Sequence, residues 1–186
     1  AVVIFNGEIK GVVPKINIPN YSEFYEKRWF ASGKQFESCQ PINLAGYDTK
    51  IGNQIFDLGS GAVLGIEICE DLWTPEPPGI RHAMAGANVI VNLSASDENT
   101  GKAQYRRELV SGQSARLICG YIYTSAGDGE STQDVVYSGH NIIAENGKVL
   151  GESRRFTNEP VYTEFDVARL ESERRRMSTF VTEDTH

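Results

Sequence analysis

The chain has 186 residues, 40% of them apolar and 23% charged, and a net charge of −7. That length and composition describe a globular domain with a sizeable core and exclude a disordered chain. The acidic balance excludes a nucleic-acid binder built on a clustered basic face, and no apolar run reaches the roughly 20 residues of a membrane span.

The opening Val2 to Phe5 and Ile9 to Val13 flank Asn6-Gly7, the strongest two-residue hairpin signal. Pro19 to Ser22 reads as loop, and Glu23 to Phe30 as a short helix anchored by Phe24 and Trp29. Ser32 to Lys50 is polar and reads as irregular. Ile51 to Phe56 leads through Leu58-Gly59-Ser60-Gly61 into an apolar strand over Ala62 to Ile68, which ends on Cys69. Pro75 to Pro78 breaks the chain, and Ile80 to Ala87 predicts a helix. Asn88 to Leu93 is a buried strand followed by Ser94-Ala95-Ser96. Ala103 to Leu117 predicts a helix, Cys119 to Ser125 a strand, and Gly139 to Gly151 a hairpin about Asn146-Gly147. Val161 to Phe165 predicts a last strand before a charged helix over Val167 to Arg176. Strands alternating with helices give an α/β class, and the hairpins make the sheets mixed.

The dense basic run Arg174-Arg175-Arg176 follows Glu171 and Glu173 and reads as a solvated helix face. Three cysteines, Cys39, Cys69 and Cys119, show no metal or disulfide spacing and fit a reducing, cytoplasmic setting. The chain opens inside a strand pattern without a methionine and stops at Asp184-Thr185-His186. Residues 1–186 are therefore expected to be part of one domain of a longer protein.

Cys69 is the leading chemical candidate, because α/β enzymes present nucleophiles where a strand turns sharply. A thiol needs a cation to become a thiolate, and the adjacent Glu70 and Asp71 do not provide one. Lys15, at the end of the Val12-Val13-Pro14 run, does, and either Glu23 or Glu26 can be its carboxylate partner. From the local pattern alone, Cys69 is equally an inert buried thiol, and Lys15 a surface lysine at a strand end. Cys39 and Cys119 read as structural. His82, His140 and His186 form no Cys-His-Asn pattern. Gly127 to Thr132 lacks the lysine of a phosphate-binding loop and reads as a tight loop, and without a Cys-x-x-Cys pair a redox role is disfavoured.

Pro14-Lys15 with Ile18 to Phe30, Gly65 to Trp73 around Cys69, and Asn92 to Ser96 together resemble the nitrilase (carbon–nitrogen hydrolase) superfamily. The separation of Lys15 from Cys69 fits the same family. Glu70-Asp71-Leu72-Trp73, Ser125 to Asp134 and Glu171 to Met177 are similar to its branch of glutaminase domains attached to NAD synthetases. The resemblance runs from about Val2 to Phe180.

It implies an α-β-β-α sandwich, here expected to lack its first β-α unit, and a Glu-Lys-Cys triad acting on glutamine. Cys69 is then the nucleophile, Lys15 the oxyanion cation and Glu26 the additional glutamate that orients Lys15. The triad glutamate itself is expected upstream of this sequence. Tyr21, Glu70, Trp73, Ser96 and Lys102 match positions around the glutamine. The domain itself implies no cofactor or metal. ATP and Mg belong to a synthetase domain that amidates deamido-NAD with the ammonia, and Tyr21-Ser22-Glu23 resembles the loop facing that domain. The family also implies a homo-oligomer. A stand-alone amidase, or a fragment inactive for want of the triad glutamate, is the alternative.

Overall fold

A computed structural model describes residues 1–127 and 129–180. Its strands are β1 (Val2–Phe5), β2 (Glu8–Val12), β3 (Gln40–Leu44), β4 (Tyr47–Ile51), β5 (Ile55–Gly59), β6 (Ala62–Ile68), β7 (Val89–Ser94), β8 (Gly120–Ser125), β9 (Ile142–Glu145) and β10 (Lys148–Glu152). The helices are α1 (Pro78–Met84), α2 (Lys102–Leu117) and α3 (Val167–Arg176). Hairpins join β1 to β2, β3 to β4, β5 to β6 and β9 to β10. Each turns through a residue and a following glycine that both have positive φ, as at Asn146 (44°) and Gly147 (86°), a geometry that matches the twist of the strands.

Two mixed sheets result, in the order β1-β2-β4-β3 and β10-β9-β8-β7-β6-β5. In the larger sheet β6, β7 and β8 are parallel, so their C-terminal ends share one edge. Register places Glu67 beside Asn92 and Asn92 beside Tyr123, one row across the three strands. Helix α1 lies over β6 and β7, and α2 over β8 and β9. Between them Leu72, Ile90, Val110, Tyr121, Tyr123 and Ile142 form the buried core. Gly65 permits the close approach of α1: a Cβ there would meet His82 Cβ at 2.7 Å.

Several expectations are corrected. Glu23 to Phe30 is not a helix but a single 3-10 turn, Glu26–Arg28. Trp29 and Phe30 stay exposed, so no apolar face exists to stabilise a longer one. Ser32 to Lys50 is not irregular. It contains the β3–β4 hairpin, whose largely exposed strands show little of the alternation that marks a half-buried strand. Val161 to Phe165 forms no strand, because its side chains fill gaps in the sheet instead of extending a ladder. Phe165 lies against Gly120, and Val161 against Gly151. Helix α1 ends earlier than expected, as Gly86 turns the chain and Ala87 N–H bonds to His82 C=O at 2.9 Å.

The charged helix α3 forms as expected, but Arg174 is buried rather than solvated. Its guanidinium donates to the carbonyls of Ala87 (2.8 Å), Leu117 (2.8 Å) and Ile118 (3.0 Å). These carbonyls lie at or just beyond the C-terminal ends of α1 and α2, where backbone acceptors run out of intrahelical partners. Phe180 packs on the outer face of the guanidinium at 4.7 Å.

Candidate active site

Strand β6 delivers Cys69 to the parallel edge, and the chain immediately enters a 3-10 turn over Cys69–Trp73. Cys69 itself has φ of 50°, a left-handed conformation costly for a residue with a side chain. Asp71, 1% exposed, fastens this elbow. Its carboxylate accepts from Ile68 N–H at 2.9 Å and from the backbone and side-chain amides of Asn17 at 2.8 and 3.0 Å. Burial pushes its pKa up, against the hydrogen bonds that favour the charge. Because Asn17 lies two residues beyond Lys15, these bonds tie the lysine-bearing segment to the cysteine-bearing turn.

Lys15 Nζ pairs with Glu26 Oε2 at 2.6 Å, both half-buried. The backbone holds the lysine too, as its C=O accepts from Gly33 N–H at 2.8 Å. Lys15, Glu26 and Cys69 line one cleft of about 560 Å³, with Ser94 and Ala95 after β7 and Ser125 and Ala126 after β8. Clefts outside the carboxyl ends of parallel strands are where α/β sheets bind ligands. Glu130, on the loop beyond β8, also lines it and was not picked out by the sequence.

The remaining expected residues divide into three places. Tyr21 OH donates to both oxygens of Glu70, at 2.8 and 2.9 Å, linking the loop before the 3-10 turn to the residue after the cysteine. Burial and this carboxylate push the Tyr21 pKa well up, and burial raises that of Glu70. Lys102 pairs with Asp97 and lies over the rings of Trp73 (5.4 Å) and Phe24 (6.0 Å), a cation held between one carboxylate and two aromatic faces. Trp73 leans on Tyr105 at the mouth of a neighbouring cleft. Ser96 is buried and turned inward, its hydroxyl accepting from Arg106 Nη2 at 3.4 Å. The structure thus brings Cys69 and the Lys15–Glu26 pair into one cleft, and Tyr21 is tied to Glu70, the residue after the cysteine.

Sequence reasoning missed the polar residues beneath the cysteine. Glu67, Asn92 and Tyr121 are all at most 1% exposed in strands that are otherwise apolar. Their signal was the alternation itself, since Glu67 and Asn92 fall on the inward positions of their strands. Burial pushes the Glu67 carboxyl up to about 7, and burial likewise pushes the Cys119 thiol up to about 12, leaving it an inert core residue. Among the described residues no cluster of metal-ligating side chains occurs, and no helix is long and apolar enough to cross a membrane.

Residues 1–175 match the carbon-nitrogen hydrolase family. The chain is 43% identical over 185 residues to the glutamine-dependent NAD(+) synthetase of Mycobacterium tuberculosis, a match covering 97% of this chain and 27% of that protein. Its identity to the enzyme of the same name from Thermotoga maritima is 29% over 187 residues, covering 96% and 29%. A crystal structure of a glutamine-dependent NAD(+) synthetase from Cytophaga hutchinsonii superposes with a TM-score of 0.74 at 28% identity, covering 87% of this chain and 26% of that one. A carbon-nitrogen hydrolase from Helicobacter pylori superposes with a TM-score of 0.67 at 26% identity, covering 92% and 57%. The mixed α/β architecture is shared with both of these solved structures. The chain spans little more than a quarter of the length of the curated relatives it matches.

Proposed function

Because the chain belongs to the carbon–nitrogen hydrolase family, we propose that it is the glutamine-hydrolysing part of a glutamine-dependent NAD+ synthetase, using Cys69 as nucleophile. The observation that carries this is the convergence of Cys69 with the Lys15–Glu26 ion pair in one cleft at the parallel strand ends.

In this mechanism Cys69 Sγ forms a bond to the side-chain carbonyl carbon of glutamine, and the π electrons move onto the oxygen. The Lys15 ammonium and the Glu70 backbone N–H hold that oxyanion. Glu70 lies in the first turn of the 3-10 segment, where amides have no intrahelical partner. Glu26 keeps the ammonium aimed. The thiol proton passes through a glutamate outside this sequence to the departing nitrogen, which leaves as ammonia. Water then attacks the thioester carbon, releasing glutamate and restoring the thiol.

Tyr21 and Glu70 shape the amide end of the site, with Lys102 and Trp73 farther out, while Ser96 is buried against Arg106. A synthetase domain of the same protein, with ATP and Mg, consumes the ammonia to amidate deamido-NAD. That domain meets this one at the Tyr21-Ser22-Glu23 loop, in a cytoplasmic homo-oligomer.

The test is ammonia release from glutamine by the full-length gene product, with and without ATP plus deamido-NAD. Release that rises when both are added, and disappears in Cys69→Ala, supports the reading. Undiminished release by Cys69→Ala overturns it. Hydrolysis of another amide with none of glutamine reassigns the protein as a stand-alone amidase.

A further inference from the structure

We propose that Asn92 is a positioning residue for the Cys69 thiol, its side-chain amide gripping the elbow's main chain from both sides. The inference rests on the reading of Cys69 as nucleophile. Asn92 Oδ1 accepts from Cys69 N–H at 3.1 Å, and Asn92 Nδ2 donates to Cys69 C=O at 3.3 Å. One side chain thus engages both peptide groups that flank the Cα of Cys69. Those peptide planes define the φ of 50° that turns the thiol into the cleft, and a strained conformation persists only where its surroundings over-determine it.

Asn92 is itself held. Ser94 Oγ donates to its Oδ1 at 2.6 Å, and on the neighbouring strand Glu67 stands beside it in register. Glu67 in turn accepts from Tyr121 OH and, at 2.8 Å, from Gly79 N–H of α1. A fully buried asparagine is costly in an apolar layer unless its donors and acceptor are all used. Here Oδ1 accepts two bonds and Nδ2 donates one, and both ends of the amide are spent on the main chain of Cys69. The row Glu67–Asn92 thus transmits the rigidity of the sheet and of α1 to the nucleophile.

The grip has a chemical corollary. Since Cys69 N–H is committed to Asn92, it is not free to bind a developing oxyanion. The Glu70 N–H is left as the backbone donor beside Lys15. Loosening Asn92 releases the Cys69 amide and lets the thiol swing off the line between the two oxyanion donors.

The experiment uses the full-length gene product carrying Cys39→Ser, with Asn92→Ala and Ser94→Ala added separately. Two quantities are read: kcat and KM for glutamine, and the pH–rate profile of Cys69 alkylation by iodoacetamide, resolved by peptide mass spectrometry. The expected result for Asn92→Ala is a fall in kcat of about a hundredfold with KM changed by less than about threefold, since misplacement by about 1 Å costs that much. The alkylation profile should move with it. Ser94→Ala, which keeps the buried amide, should lose roughly tenfold in kcat and decides the matter if Asn92→Ala does not fold. Wild-type kcat in a folded variant overturns the proposal. So does a rise in KM alone, or a lowered kcat with an unmoved alkylation profile. If the parent releases no ammonia from glutamine, the substrate assignment fails, while the alkylation profile still decides for or against Asn92.

Discussion

Replacing Glu67 by glutamine should flatten the dependence of stability on pH. Glu67 is 1% exposed and lies between β6 and α1, with Tyr121 OH and Gly79 N–H on its two oxygens and Asp71 as a second carboxylate nearby. Burial raises its pKa from 4.5 to about 7, because desolvation outweighs the hydrogen bonds that favour the charged form. Between those values the native state keeps a proton that the unfolded chain has released. Stability therefore falls as pH rises across this window: the contribution is full below pH 4.5 and gone above about 7. The size of the change corresponds to about 3 kcal/mol. A glutamine side chain at this position fills the same space without titrating, so the Glu67→Gln variant gains about 3 kcal/mol on the parent between pH 4.5 and 8. His82 acts in the opposite sense in both proteins. Burial lowers its pKa from 6.5 to about 4, so its contribution is present above 6.5 and lost as pH falls. Being common to both, it cancels in the difference. The assay is equilibrium urea unfolding followed by tryptophan fluorescence at several pH values from 4.5 to 8. Stability curves for parent and variant that stay parallel over that range refute the reasoning.

Other outcomes follow from the same contacts. Lys15→Met removes an oxyanion donor and should lower kcat for glutamine by roughly 10² to 10³, with a smaller effect on KM. Glu26→Gln keeps the lysine but loses the 2.6 Å ion pair, and steady-state kinetics should show an intermediate loss, confined to kcat. Asp71→Ala leaves Ile68 N–H and both Asn17 donors unpaired and should cost about 2 to 4 kcal/mol in denaturant unfolding. Arg174→Ala strands three buried carbonyls and should destabilise by about 3 to 5 kcal/mol in the same assay. Arg175→Ala, on the exposed side of α3, should be near neutral.

The large sheet was legible because its strands obey simple local rules. Ala62 to Ile68, Asn88 to Leu93 and Cys119 to Ser125 are short apolar runs, and Asn146-Gly147 announces the β9–β10 hairpin without reference to the rest of the chain, although Ser60-Gly61 did not reveal the β5–β6 hairpin. The β3–β4 hairpin was not legible, since its strands are largely exposed and carry little alternating pattern. The helix expected over Glu23 to Phe30 failed for a related reason. Its aromatic residues suggested burial, whereas Glu26 is drawn out to Lys15 and the backbone makes only one tight turn. In the site, Cys69 and Lys15 could be proposed because each ends a strand. Asn92 and Asp71 could not, since their importance lies in the main-chain groups they bind, and a sequence does not display which amides a fold leaves without partners. Arg174 shows the limit of charge patterning, as a basic run read as a uniform solvated face hides one guanidinium that points inward.

That guanidinium also has a bearing on the order in which the protein is made. The carbonyl of Leu117 waits for a partner 57 residues further along the chain. At about 5 to 20 residues per second, synthesis of that stretch takes roughly 3 to 11 s. Through that interval β6, β7 and β8 can already pair and α1 and α2 can already cover them, while the ends of both helices remain open. The nascent domain thus passes through a stage in which its central layers are assembled and its seal is missing, and α3 supplies the closing step.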